Sequence, residues 1–460
     1  MTPTSLRQLA RWLNARDLPD TQKDSLCLGV STDSRTTQPG DCFFALTGEQ
    51  DGHQYVAKAF NCGAVSAVVS RTCPGVDPTN VPLLKVPDTL QALGRCAQAY
   101  RRQGNYKVVA ITGSVGKTST RWITAHCLRT KYQVHQSPKN FNNYIGLPMT
   151  LLTAQETDEV IVAEMGSNAP GEIADLSHIA EPDVAVVTNT HAAHLEGFGC
   201  LEAIMREKLS IGQGLRPSGP LFVNADIQAL ADLACEQYAC PVMFGQNAYC
   251  DIPVQNVRYL AHGSKATLQN HDLEIPLPGP GNVVNTVAAW AVCRYLGVSI
   301  EAFAAAIKTL PAIPMRGETL MLDALTVISD CYNANPASMK NALAILSIQA
   351  KPDQRCVFIM GDMAELGPES PALHERLGAN IAESRVNLLI SVGPLSKSAA
   401  QTVQAKTNNR LQTECFEDTM SACTALKSLI QARDLILVKG SRSARLEQAV
   451  DVLKSLSFDV

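Results

Sequence analysis

The sequence carries almost no excess charge: 39 Lys and Arg stand against 43 Asp and Glu in 460 residues, a formal net charge of −4. That balance argues against a protein that lives on the phosphate backbone of nucleic acid, while leaving room for one small anionic ligand in a local site. Long hydrophobic runs are absent too, and nothing approaches the ~18 consecutive apolar residues of a membrane-spanning helix. The amino terminus, MTPTSLRQLARWLNARD, has arginines where a signal peptide needs its apolar stretch. A cytoplasmic protein without membrane insertion is therefore expected. The fifteen cysteines form no C-x-x-C, and the closest pair, Cys235 and Cys240, matches no zinc spacing. They read as reduced thiols packed as small apolar residues. There is no Gly-X-Y repeat, internal repeat or low-complexity segment. With 46% hydrophobic and 18% charged residues, the composition is that of a folded globular chain.

What is present is an alternation of short apolar runs with longer helix-period stretches, the pattern of parallel βαβ units. Buried strands are predicted at 65–69, 107–111, 160–163, 184–187, 326–329, 356–360, 388–392 and 435–438, and a helix at 300–308. Residues 226–277 read as a mixture of helix and antiparallel strands. Proline-rich breaks near 81–87 and 310–314 divide the chain into 1–84, 85–311 and 312–460, expected to be three separately packed α/β pieces.

The clearest chemical signal is YKVVAITGSVGKTST, residues 106–120. A β-branched strand runs into Thr112, Gly113, Ser114, Val115, Gly116, Lys117, Thr118 and Ser119, and then into a helix. Glycines let the backbone curl so that successive N–H groups face phosphate oxygens, and the helix adds its N-terminal dipole. Lys117 can neutralise the β- and γ-phosphates, and the Thr118 hydroxyl can ligate Mg²⁺. Ile111 stands where the longer G-x-x-x-x-G-K-[ST] loop has its first glycine, so the form is T-G-x-x-G-K-T. No N-K-x-D occurs anywhere, which points to ATP rather than GTP.

Glu164 closes the predicted strand 160–163, where a carboxylate faces the ligand crevice of an α/β sheet and suits Mg²⁺ or a reacting water. Polar, Gly-rich HAAHLEGFG follows the strand 184–187; of its histidines His194 is the better ligand candidate and His191 reads as structural. Lys208, on a helix soon after, reads from composition alone as a solvated charge. Three further polar stretches close strands of the last third: Asp330 to Met339 with Asn333 and Asn335, GDMAELG at 361–367, and KGSRS at 439–443. Three such strand ends in one piece describe a binding face.

TGSVGKT, KNFNNYIGLP, AEMG, HLEGFG, DCYNANPASM, GDMAELG and VKGSRS occur in this order along the whole chain, and together they resemble the Mur ligases. The YNANP, GDMAELG and KGSRS set is similar to the branch that adds D-alanyl-D-alanine to UDP-MurNAc-tripeptide. The resemblance implies three α/β domains: a small one for the UDP-sugar, a central P-loop ATPase-like one with a mostly parallel sheet, and a C-terminal Rossmann-like one. It implies ATP and two Mg²⁺, with Lys117 and Thr118 at the γ-phosphate and metal, Glu164 on Mg²⁺ and His194 on a second Mg²⁺. Lys208 matches the lysine that the family carbamylates with CO₂, which turns a cation into an anionic metal ligand. Asn282 and Asn285 match a segment near the nucleotide base; Arg316, Asp330, Asn333 and Asn335 would meet ATP and the incoming dipeptide. Ser31, Thr32, Asp33 and Arg35 match the uridine-binding segment, and Asp51 and His53 a neighbouring loop. A monomer is expected. The sequence departs from the family at Gly281, where His is common, and after Lys208, where Leu209-Ser210 replace Gly-Glu.

The implied reaction is attack of the tripeptide's terminal carboxylate on the ATP γ-phosphate, then capture of the acyl phosphate by the amine of D-Ala-D-Ala. Three rivals share part of these signals. The sibling ligase that adds the third amino acid and a folylpolyglutamate synthase relative should lack YNANP and GDMAELG. A non-catalytic nucleotide-binding scaffold should lack Lys117, Glu164 or Lys208.

Overall fold

The computed structural model describes residues 1–15, 23–77, 81–191 and 195–458. Three main sheets follow one another along the chain. The first is a small all-parallel sheet of Gly29–Ser31, Asp41–Phe44, Ser66–Val69 and Leu83–Lys85, in that order. A two-stranded antiparallel ribbon, Thr4–Ser5 with Leu26–Cys27, lies beside it.

The central sheet has nine strands. From one edge they run His271–Ile275, Gly263–Leu268, Ile252–Leu260, Val242–Gly245, Leu221–Asn224, Val184–Val187, Lys107–Thr112, Val160–Glu164 and Val134–Gln136. The hairpin strands 252–275 pair antiparallel and the rest pair parallel. Residues 226–277 thus hold the expected helix (Gln228–Gln237) and antiparallel strands, with one parallel strand besides. Lys107–Thr112 is rich in β-branched residues because helices cover both faces of a parallel sheet. It sits between Val160–Glu164 and Val184–Val187. From its end the chain crosses to one side, and it later returns on the other, which opens a crevice at the carboxyl ends of these strands.

The third sheet is ordered Glu318–Met321, Thr326–Ser329, Leu435–Lys439, Cys356–Gly361, Leu388–Val392 and Gln412–Phe416, parallel except at its first pair. The three strands predicted to end in polar motifs are therefore neighbours, with Leu435–Lys439 in the middle.

The interiors do not follow three separate pieces. Leu6, Leu9, Leu13, Phe44, Val68 and Leu84 of the first region share one apolar core with Ala92, Leu93, Ile161, Ala163, Leu176 and Val187. The helix Thr89–Gln103, capped by Asp88, is sandwiched there, so apolar residues on its two sides weld the first sheet to the second. The last third is different: its two cores contain only its own residues, such as Ile328, Leu346 and Phe358 on one face and Val327, Ile359 and Leu446 on the other. Of the fifteen cysteines none is bonded to another, and most are buried.

Candidate active site between the central and C-terminal sheets

A cavity of about 870 Å³ opens between the end of the strand Lys107–Thr112 and the three polar strand ends of the last sheet. Its lining takes in Gly113 to Ser119, Glu164, Lys208, Asn282, Asn285, Arg316, Asp330, Asn333, Asn335 and Lys439.

The phosphate loop is shaped by two glycines in left-handed or related conformations, Gly113 at φ +145° and Gly116 at φ +84°. A methyl on Gly113 would come within 2.1 Å of Thr188 Oγ1, and one on Gly116 within 2.3 Å of Asn285 Oδ1. The neighbouring strand end clamps the loop. Thr188 donates to the Val115 carbonyl (2.7 Å), and Asn189 Oδ1 accepts from Val115 N–H (2.8 Å). Ser114 and the His191 backbone exchange two bonds of 3.0 and 3.1 Å. Burial lowers the proton affinity of the His191 ring, which also lines the cavity.

At the start of the following helix, Lys117–Leu128, Thr118 donates to Glu164 Oε2 (3.0 Å) and accepts from Arg316 Nη2 (3.2 Å). Glu164 is 2% exposed, and its other oxygen accepts from Asn142 Nδ2 (2.9 Å), while Arg121 Nε lies 3.6 Å away. The Lys117 amine donates to the Gly113 carbonyl (2.7 Å). Burial lowers its proton affinity against the opposing pull of Glu164, and nearby Arg316 lowers it further.

Lys208 is not the solvated charge that composition implies. It is 2% exposed and donates to Ser167 Oγ (2.7 Å). Burial, then the charge of Lys117, bring its pKa down to about 7 against Glu207 and Glu172. Glu207 accepts from Gly171 and Ile173 N–H (2.7 and 2.8 Å), which ties the Lys208 helix to the loop carrying Ser167.

On the opposite wall, Lys439 pairs with Asp330 (2.8 Å) and donates to the Asn333 carbonyl (2.8 Å). The Arg316 guanidinium stacks 4.1 Å over the Tyr332 ring. Asn335 caps the helix Pro336–Gln349 in a reciprocal box with Ser338. Asn282 and Asn285 are buried and bond each other (3.3 Å), with Asn282 Nδ2 also donating to the Pro278 carbonyl (2.8 Å).

The first-sheet residues stand apart from this cavity. Ser31 is buried, with its hydroxyl on the Asp33 carbonyl, and Thr32 follows it. Arg35 grips the Asp33 carboxylate (2.7 to 3.1 Å) and holds its pKa down at about 2. His53 Nε2 accepts from Ser70 N–H (3.0 Å), so Nδ1 carries the proton and donates to Asp51 (2.8 Å). Both ring nitrogens of this buried histidine are used within the protein, a structural part rather than a free ligand contact. His194 lies outside the described residues. Among those described, no cluster of three His, Cys, Asp or Glu side chains suits a metal. Asn142, Ser167, Asn189 and Lys439 were not singled out one by one from sequence, although Asn142 sits inside KNFNNYIGLP and Lys439 opens KGSRS.

A phosphate loop with a buried carboxylate on its Thr, facing a second wall of Asn, Asp and Lys, is the arrangement of an ATP-using ligase. Family models agree: that of the Mur ligase middle domain matches residues 111–293, and that of the Mur ligase, glutamate ligase domain matches 315–442. The chain belongs to the Mur ligase family. It is 35% identical over 441 residues to UDP-N-acetylmuramoyl-tripeptide–D-alanyl-D-alanine ligase of Bacillus subtilis, with 93% of each chain covered. To the Escherichia coli protein of the same name it is 36% identical over 435 residues, covering 92% of this chain and 93% of that one. A crystal structure of MurF from Acinetobacter baumannii superimposes with a TM-score of 0.88 at 28% identity, over 99% of this chain and 100% of that one.

Proposed function

We propose that this chain joins D-alanyl-D-alanine to UDP-N-acetylmuramoyl-tripeptide, with ATP converted to ADP and phosphate. The observation that carries the reading is the single cavity in which Lys117, Thr118 and Glu164 face Asp330, Asn333, Asn335 and Lys439. The whole-length relatives of that name support the same assignment.

A carboxylate is a poor acyl donor because its leaving group is oxide; transfer of the γ-phosphoryl group supplies a good one. The loop amides of 113–118 and the Lys117 ammonium hold the phosphates, and Arg316, already at Thr118, meets the charge that gathers as two anions approach. The amine then attacks the acyl carbon, phosphate leaves, and the amine's proton is lost. Water must be kept out meanwhile, which the facing of two walls across one cavity serves.

Thr118 and Glu164 offer hard oxygens at 3.0 Å from each other and are the residues that would hold Mg²⁺. When bound, the metal offsets phosphate charge and orients the transferred group. The Lys208 amine, with a pKa near 7, is partly neutral at neutral pH, so its lone pair can add to CO₂, lose a proton and become a carbamate. That carbamate and His194 are the proposed ligands of a second Mg²⁺. We assign 1–84 to the UDP-sugar, through Ser31, Thr32, Asp33, Arg35 and Asp51, 85–311 to ATP, and 312–460 to the dipeptide. One chain builds the whole cavity, so a monomer suffices. No helix among the described residues is long and apolar enough to cross a membrane, and we place the reaction in the cytoplasm.

Phosphate release from ATP and Mg²⁺, with UDP-MurNAc-tripeptide and D-Ala-D-Ala added singly and together, tests the reading. Release only with both is expected. Release with a free amino acid in place of the dipeptide would move the chain to a sibling activity, and none under any condition would leave a nucleotide-binding scaffold.

A further inference from the structure

The amine-facing wall is made by three loops, after Ser329, Gly361 and Lys439, and only a residue on the middle loop can touch both flanks. Ser441 does so. Its hydroxyl accepts from Ala364 N–H (2.8 Å) and donates to the Ala334 carbonyl (3.4 Å), while its own N–H donates to the Asp362 carbonyl (2.9 Å). The side chain is 3% exposed and, unlike Ala334, Ala364 and Lys439, it does not line the cavity. Its reach depends on Gly361 and Gly440. A methyl on Gly440 would stand 2.9 Å from Gly361 Cα, so the two loops leave their strands nearly in contact.

Two other anchors of the 362–366 loop reach residues outside the cavity lining: Asp362 Oδ1 accepts from Ser396 N–H (2.7 Å), and Met363 N–H donates to His374 Nε2 (3.1 Å). Next comes Glu365 at φ +62°, a conformation that a non-glycine residue holds only when its surroundings impose it. The Ala364 amide is the tether immediately before it. On the other flank, Ala334 separates Asn333 from Asn335, both of which line the cavity.

We infer that Ser441 is a positioning residue for the amine substrate: one buried hydroxyl sets the spacing between the Asn333–Asn335 loop and the Ala364–Leu366 loop. It acts through these loops and touches no reacting atom. The inference rests on the dipeptide-ligase reading, in which this wall receives the amine. Because the loop amides of 113–118, which hold the phosphates, lie on the other wall, losing the hydroxyl should loosen amine binding far more than nucleotide binding.

The test is Ser441→Ala, with KM for D-Ala-D-Ala and Kd for ADP measured beside the wild type. An increase in KM of about tenfold is expected, the scale of losing one buried bonded group, with Kd for ADP unchanged within about twofold. An unchanged KM would overturn the inference, and so would a Kd that rises in step with KM, since that would mean general damage. If Ser441→Ala does not fold, Ser441→Cys, of similar size but a weak acceptor, is read by the same two numbers. A wild type that ligates no dipeptide would sink the functional reading; a wild type that ligates beside an unaffected variant sinks only the role of Ser441.

Discussion

At the scale of single residues, Lys208 shows what a sequence hides. Its helix neighbours, Arg206 and Glu207, gave it the look of a surface charge; the resemblance singled it out, and the fold supplies the reason. Burial and the nearby Lys117 hold the amine at about 7, against an ordinary 10.5. The linkage then has a definite sign. Below about 7 the amine is charged in both the folded and unfolded chain, and the penalty of burying it is full. Between about 7 and 10.5 the unfolded chain binds the extra proton, so stability from this group rises with pH across that window. In CO₂-free buffer, Lys208→Met should therefore melt above the wild type at pH 7, with the gap closing toward pH 10. A gap independent of pH would rule out the buried cationic amine. Glu164 was more legible because a strand end followed by a carboxylate is a local pattern. Its partners Thr118 and Arg121, both on the helix Lys117–Leu128, and Asn142 come from two segments that meet it only after the sheet forms.

At the scale of elements, strands 184–187, 326–329 and 388–392 match their predicted limits, since an apolar run between turn signals is read directly. Two strands of the first sheet, Gly29–Ser31 and Leu83–Lys85, are three residues long and give no such run, whereas Ser66–Val69 falls within the predicted 65–69. The T-G-x-x-G-K-T turn was readable because each glycine has a steric reason. At Gly113 an added methyl meets Thr188 Oγ1, which cannot swing away without releasing the Val115 carbonyl, and the Asn189 carbonyl oxygen lies 3.0 Å off. Gly113→Ala should raise Kd for ADP at least tenfold by calorimetry, consistent with ~1–3 kcal/mol of imposed strain, while the melting temperature moves by a few degrees. An unaltered Kd would mean that the loop is not the phosphate site. What sequence could not show is the clamp itself: Thr188 and Asn189 follow the strand Val184–Val187, which lies beside Lys107–Thr112 only through the sheet order.

At the scale of the molecule, the breaks near 85 and 311 look alike in sequence, both being proline-rich, yet they differ physically. The first lies over a continuous apolar interior. The second separates interiors that share no residue, bridged at the site by the Arg316 to Thr118 bond. That bond predicts long-range protection from hydrogen exchange. ADP should slow exchange of amides in both 112–119 and 329–335 in the wild type, but in Arg316→Ala only in the first segment. Equal protection of both segments in the variant would assign the link to other contacts. The welded first interior also bears on how such a chain can be taken apart and rebuilt. A chimaera drawing residues 312–460 from a relative keeps both apolar cores of the last third intact and has to match the cavity wall and the few contacts of the helix Pro336–Gln349 with the central region. One that exchanges residues 1–84 must refit Leu6, Leu9 and Leu13 against Leu93 and, beyond it, Leu176. Parts of the last third can be traded between homologues as a cassette, whereas the front of the protein is inherited together with its engine.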